Sequence, residues 1–486
     1  MALTSICSRI LSGLLVVVSC FAQLPQSTVL PDTPQGKLVA AYIKAFNSGD
    51  EKVMKEFFVS NVSASALAQR PLDKRLEVYR EMRGNMGALD VKRLLASGSE
   101  EVTVLAQTKL NEWRKLTFFF EPGASVNLAG IRVEDADPPS QTQAADNSAA
   151  PMNETQLLES LDKLLAQAAA ADEFSGTALL AKKDKVVFQK AYGLASKEYG
   201  VPNRTDTKFN LGSINKSFTQ VAIGQLVEQG KLSFDDKLGK YLPDYPNHEA
   251  AEKVTIRQLL AMKSGIGDFF GAEYIAMSKD RLRTLKDFLP LFASKPLLFE
   301  PGTKDQYSNG GYIVLGAIIE KVSGQDYYDY VREHIFKVAG MQNTDWYEGD
   351  VVVPNLASGY TREGTADGSK GVRVNNVYTR PARGNSAGGG YSTADDLLKY
   401  VAALRDGRLH LANFRQPAVA APQSPADQKP SRFGGLGIAG GAPGINAVVE
   451  ANEGTGYTII VMSNYDPPSA EKVARQVRGW IGQVKN

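Results

Sequence analysis

A serine three residues ahead of a lysine occurs at three places in this chain: Ser160-Leu161-Asp162-Lys163, Ser213-Ile214-Asn215-Lys216 and Ser469-Ala470-Glu471-Lys472. On a helix, residues at this spacing share one face, a single turn apart. A lysine Nζ can then reach the serine Oγ, and it becomes a base for that hydroxyl where an apolar or cationic setting lowers its pKa. Context separates the three. Ser160 and Ser469 fall in or at the start of amphipathic helices near the ends of a domain, where a surface role suffices. Ser213 follows Phe209-Asn210-Leu211-Gly212 and opens a helix predicted to run to Glu228 and stop at Gly230. A serine there holds its Oγ beside unpaired backbone N–H groups able to stabilise an oxyanion. A serine that merely caps the helix would occupy the same position.

Other chemistries are poorly supplied. The chain has three histidines, His248, His334 and His410. A Ser-His-Asp triad needs an imidazole delivered to the nucleophile, and each of these reads as structural or solvated. No H-E-x-x-H or similar zinc spacing occurs, and no metal or organic cofactor is implied. Both cysteines, Cys7 and Cys20, lie at the extreme N-terminus, so a cysteine nucleophile and a structural disulfide are excluded from the mature protein. The formal net charge of +2 gives no reason to expect nucleic acid as a partner.

The elements that must position Ser213 belong to the second of two domains, the default for 486 residues. Residues 1–22 read as a secretory signal: Arg9 precedes an apolar run from Ile10 to Phe21, too short to span a bilayer. Cleavage after Ala22 is favoured over lipidation of Cys20, although Val17-Val18-Ser19-Cys20 resembles a bacterial lipobox and leaves a lipid anchor open. Residues 23–133 predict a small α+β unit. It has a helix capped by Thr33 with Pro34 at its first position, a second after Asp50 and a third carrying Leu72, Leu76 and Tyr79. Strands follow at Val91–Ala96, Val102–Thr108, Trp113–Phe120 and Val126–Val133. That order loosely resembles the nuclear transport factor two-like cone fold. Residues 134–153, with Pro138-Pro139-Ser140 and no periodicity, form a linker. From 154 to 486 a helix and two strands (Phe174–Lys182, Lys185–Tyr192) stand at one end. Two strands (Ile445–Glu450, Tyr457–Ser463) and a helix (Ser469–Val484) stand at the other, with most helices between. One sheet built from both ends, with a helical insert, is the expected arrangement.

Several blocks in order carry a closer resemblance. "FNLGSINKSFTQVAIGQLVEQGKLSFDDKLGKYLPDY" (209–245) resembles the nucleophile region of class C β-lactamases, D-alanyl-D-alanine carboxypeptidases and family VIII esterases. "FEPGTKDQYSNGGYIVLGAIIEKVSGQDYYDYVREHIFKVAGM" (299–341) contains Tyr307-Ser308-Asn309, matching that superfamily's Y-x-N element. "AGGGYSTADDLLKYVAALRDG" and "GGAPGINAVVEANEGTGYTIIVMSNYD" resemble its later segments. Together they cover nearly all of 155–486. The resemblance implies a β-lactamase-like α/β (α+β) fold, a mainly antiparallel sheet flanked by helices with a helical lobe. It also implies a serine hydrolase working through an acyl-enzyme on Ser213, which the expected signal segment would make an exported, periplasmic or secreted one. Lys216 and Tyr307 would share the general-base role, the tyrosine or its phenolate also protonating the leaving group. Asn309 would orient the substrate carbonyl or the lysine. The backbone N–H of Ser213 would form half of the oxyanion hole, and the closing strand at Gly440 and Gly441 would supply the other half at Gly441.

Two departures shape the expected substrate. Where the superfamily usually has K-T-G or H-x-G on the strand beside the nucleophile, this chain reads Ile438-Ala439-Gly440. Its usual His-Thr-Ser-Gly reads Met262-Lys263-Ser264-Gly265. Losing the basic group at Ile438 removes a charge-assisted contact to a substrate carboxylate. Esterase-like activity on an ester or amide is therefore favoured over D,D-peptidase, D-aminopeptidase or β-lactamase activity. A catalytically weak penicillin-binding-like binding protein is the alternative from another class.

Overall fold

The computed structural model describes residues 30–98, 100–109, 113–121, 126–136, 152–364, 370–409 and 435–484. The expected signal segment with Cys7 and Cys20, most of the expected linker and His410 lie outside the described residues. No described helix is long and apolar enough to cross a membrane. The chain divides into two compact units, Met1–Asn147 and Ser148–Asn486.

In the first unit, Thr33 caps α1 (Pro34–Ser48) by accepting from the Gly36 N–H, and Asp50 caps α2 (Glu51–Asn61) through the Lys52 N–H. A short helix absent from the sequence reading, α3 (Ala64–Gln69), starts at the Ser63 cap. At six residues it is too short to display a helical period. After α4 (Leu72–Met86) come β1 (Leu89–Ser97), β2 (Glu101–Thr108), β3 (Trp113–Phe120) and β4 (Leu128–Ala136). They form one antiparallel sheet in sequence order. Val39, Phe46, Met54 and Phe118 are fully buried in its core.

The second unit opens on α5 (Glu154–Ala170), started by a reciprocal Asn153–Gln156 capping box. Its sheet takes β5 (Gly176–Lys182) and β6 (Lys185–Tyr192) from the front, and β7 (Gly435–Ala442), β8 (Ile445–Asn452) and β9 (Tyr457–Ser463) from the back. The order is β7-β8-β9-β5-β6, and every pair is antiparallel. The two ends join where β9 pairs β5, Tyr457 opposite Lys182 and Ser463 opposite Gly176. Side chains alternate between faces. Ala178, Leu180, Ile459 and Val461 pack against α5 and the C-terminal helix. Leu179, Ala181, Ile460 and Met462 face the helical lobe. That lobe is built round α6 (Asn215–Glu228), α7 (Asn309–Ser323) and α8 (Ala394–Arg405), and the chain closes with α9 (Ser469–Ile481).

Some local expectations need correction. Ser213 does not sit in the α-helix itself. It lies in a 3₁₀ turn, Gly212–Ile214, that leads into α6. The helical run from Tyr327 to Ala339 is interrupted by a π turn at Arg332–Phe336. Ser469 is buried, its Oγ donating to Ser463 Oγ at 2.9 Å, and is not on the surface.

Candidate active site

β7 is an edge strand, and its free side meets the Gly212–Ile214 turn across glycines. A Cβ built on Gly440 would stand 2.0 Å from Leu211 O and 2.7 Å from Ser213 N; one on Gly212 would stand 2.9 Å from Gly441 N. Gly212 also has φ +49°, which favours glycine. Only glycines let strand and turn approach this closely, and the contact places the Ser213 and Gly441 amides at one edge.

Four predicted side chains meet there. Ser213 Oγ lies 2.5 Å from Tyr307 Oη and accepts from Lys216 Nζ at 3.1 Å. Lys216 is buried at the first turn of α6 and also donates to Asn309 Oδ1 at 2.7 Å and to the Ala387 carbonyl at 2.5 Å. The Nζ stands 4.8 Å from the Tyr307 ring centroid. Asn309 begins α7, whose cap, Ser308, accepts from Gly311 N–H. Tyr307 therefore projects from the residue just before the Ser308 cap, 54% exposed and with its hydroxyl on Ser213.

Asp268 completes the cluster, and sequence reading missed it. Its Oδ2 accepts from Asn309 Nδ2 at 2.7 Å and from the Asn309 N–H at 3.2 Å. Accepting from Nδ2 fixes the amide so that Oδ1 faces the lysine. In Gly267-Asp268-Phe269-Phe270 the acid has no motif spacing; its one sequence signal is a carboxylate beside two aromatics. Ala387 contributes through a backbone carbonyl, which no residue pattern announces.

The electrostatics are asymmetric. Burial lowers the Lys216 pKa to about 7, opposed by the nearby Asp268 carboxylate. Burial raises Tyr307 above the ordinary phenol value; the Ser213 hydrogen bond lowers it in part and Asp268 raises it further. A neutral lysine spends its two N–H bonds on Asn309 and Ala387, which leaves its lone pair for the Ser213 proton.

A cavity of about 740 Å³ opens in front of Ser213. Phe269, Phe270, Tyr274, Ile275, Tyr347 and Tyr391 give it a largely aromatic wall, and Ala439, Gly440 and Gly441 line the strand side. Ile438 packs instead against the core of the helical lobe. The other two Ser/Lys pairs are not part of the cavity, nor are the described histidines. His334 Nε2 lies 3.2 Å from Gln325 Oε1 and its ring packs on Tyr330. His248 is the exposed first residue of a short helix. Among the described residues no His/Cys/Asp/Glu cluster could hold a metal ion.

An antiparallel sheet with helices on both faces and a serine–lysine–tyrosine cluster at the edge strand defines a β-lactamase-like fold. The Beta-lactamase family profile matches residues 161–479, and the chain belongs to that family. PbpX of Bacillus subtilis (strain 168), which carries a penicillin-binding-protein name, is 32% identical over 238 residues, 49% of this chain and 56% of that protein. Protein flp of Staphylococcus aureus (strain MW2) is 32% identical over 189 residues, 38% of each chain. The chain thus spans about half or less of these curated relatives. The solved penicillin binding protein from Bacillus halodurans superposes with a TM-score of 0.55 at 31% identity, covering 64% of this chain and 98% of that one. D-amino acid amidase from Ochrobactrum anthropi, at 24% identity and a TM-score of 0.54, shares the fold.

Proposed function

We propose that this protein is an exported serine hydrolase that cleaves an ester or amide through an acyl-enzyme on Ser213. The observation that carries the reading is a buried amine, its pKa lowered to about 7, 3.1 Å from the Ser213 Oγ. In the first step Lys216 takes the Ser213 proton as Oγ attacks the carbonyl carbon. The backbone N–H groups of Ser213 and Gly441 hold the oxyanion. Tyr307, a phenol at neutral pH because its pKa is raised, gives its proton to the leaving group and is reprotonated from Lys216. Water, deprotonated by the same pair, then releases the acyl group.

Esters are favoured over β-lactams and D-Ala-terminated peptides because the strand wall offers Ala439 and glycines and no cation for a carboxylate there. A fluorophosphonate probe is expected to label the wild type and to fail on Ser213→Ala. p-Nitrophenyl butyrate is expected to turn over faster than nitrocefin; the reverse ranking would overturn the preference. One observation favours a second reading, an amidase acting on amino-acid amides. Glu471 lines the cavity, and its Oε2 is buried without a hydrogen-bond partner, a ready acceptor for a substrate ammonium. Product analysis on D- and L-amino-acid amides decides between the two.

A further inference from the structure

Beyond its aromatic wall, the cavity is lined by the segment Thr379-Arg380-Pro381. This backbone is tied down on both sides of Arg380. Thr379 donates from N and Oγ1 to the Asn376 carbonyl at 3.0 and 2.9 Å, and its own carbonyl accepts from Tyr274 Oη at 3.0 Å. On the other side, Ala382 N–H donates to Lys279 O at 2.9 Å and Arg383 N–H to Leu282 O at 3.1 Å. Pro381 disfavours a helical conformation at Arg380. The residue is half-buried and held against the segment that carries the aromatic wall.

Arg283, Arg380 and Arg383 gather near Glu348 and Asp350, with Asp280 and Asp287 also beside Arg283. Arg283 binds Glu348 and reaches Asp350 at 2.7 Å. Arg383 approaches Glu348 at 3.9 Å and lies 3.5 Å from the Tyr328 ring centroid. The Arg380 guanidinium comes within 3.6 Å of where a Cβ on Gly349 would stand, between those two acids. Both are already engaged, and among the described residues Arg380 has no hydrogen bond or ion pair. Glu471, the acidic member of the described lining, comes from α9, and its buried Oε2 has no hydrogen-bond partner among the described residues. A guanidinium without an ion pair, on a residue that lines the cavity, is suited to a carboxylate, which it can grip through two parallel N–H bonds.

We infer that Arg380 is an anion subsite, so that the substrate is an ester or amide with an apolar body and a carboxylate remote from the scissile bond. This rests on the acyl-transfer reading above and names its substrate class. Carboxylate recognition would then be supplied from this loop, while the strand position at Ile438 has lost it.

A matched pair of esters tests the assignment: mono-p-nitrophenyl adipate against p-nitrophenyl hexanoate, equal in chain length and different in the terminal carboxylate. The wild type is expected to favour the adipate ester in kcat/KM by roughly 10- to 100-fold, the range of a charge-assisted hydrogen bond. Arg380→Gln should bring the ratio close to one, and Arg380→Lys should leave it intermediate. A wild-type ratio of one, or a ratio that survives Arg380→Gln, overturns the assignment. Calorimetric titration of Ser213→Ala with adipate monoamide and with hexanamide supplies a readout free of turnover. Tighter adipate monoamide binding that vanishes with Arg380→Gln, in a protein that hydrolyses neither ester, keeps the subsite and sinks the hydrolase. Ser213-dependent hydrolysis with no Arg380-dependent preference does the opposite.

Discussion

Two charged clusters in the second unit are built from similar parts and end in opposite states. Around Asp172, one carboxylate receives Lys197 at 3.1 Å, Arg373 at 2.8 Å, Arg362 and the Tyr465 hydroxyl at 2.5 Å. Burial pushes that carboxyl upward, yet the four donors outweigh it and hold it well below the usual carboxylate range. Around Lys216, one amine donates to two neutral oxygens and a hydroxyl, and the carboxylate of Asp268 reaches it through Asn309. Burial wins there, and the lysine falls to about 7. The first cluster fastens the Tyr360–Gly364 and Lys370–Asn375 hairpin to the body of the unit. The second keeps a charge under-compensated, and burial leaves the amine with a lowered pKa. Full pairing builds a clasp; partial pairing leaves the amine that the proposed mechanism uses as its base.

The largest effect is expected where the under-compensated charge is removed. Lys216→Met should lower Ser213-dependent kcat/KM by at least about a thousandfold. The same variant should be more stable at pH 7 by about 1–3 kcal/mol, read from the urea midpoint, because a costly buried amine is gone. The sign follows from linkage. The folded pKa lies below the unfolded one, so the unfolded chain holds the extra proton and wild-type stability rises as pH climbs from about 7 towards the ordinary lysine value. A destabilised Lys216→Met protein would erase the contrast between the clusters.

Tyr307→Phe should cost about a hundredfold in kcat/KM with little change in stability, since the ring is half exposed and loses one hydroxyl contact. Asp172→Asn should behave in the reverse way. Three cations lose their counter-charge, and stability at pH 7 should drop by about 1–2 kcal/mol after allowance for solvent screening, with kcat/KM held within about threefold. Because the carboxyl is held low, its contribution is present above the unfolded carboxylate pKa and fades as acid protonates it. The wild-type and variant stability curves should therefore converge at low pH. Smallest is Asp268→Asn. An amide oxygen can still accept from Asn309, but the charge that raises Lys216 is lost. The acidic limb of the kcat/KM profile should move to lower pH by a fraction of a unit, and an upward move would contradict the assigned sign.

Much of this was legible in the sequence because it is local or periodic. Ser213 and Lys216 share one turn, the caps at Thr33 and Asp50 stand where the apolar period begins, and β6 and β9 match their predicted bounds. Resemblance, not spacing, supplied Tyr307 and Asn309, which lie 94 and 93 residues from their partners Ser213 and Lys216. Asp268 acts through an amide that only the fold brings to it. Arg380 matters through the absence of a partner, and a free guanidinium looks in sequence like any surface arginine. The π turn at Arg332–Phe336 left no mark in a helical pattern that its side chains continue to satisfy.

The central claim is that burial turns the Lys216 amine into the base for Ser213. Labelling the protein with lysine carrying carbon-13 at Cε, and assigning Lys216 by loss of its signal in Lys216→Arg, lets its titration be followed directly by NMR. A midpoint near pH 7 is the predicted result; a midpoint near that of the surface lysines would contradict it.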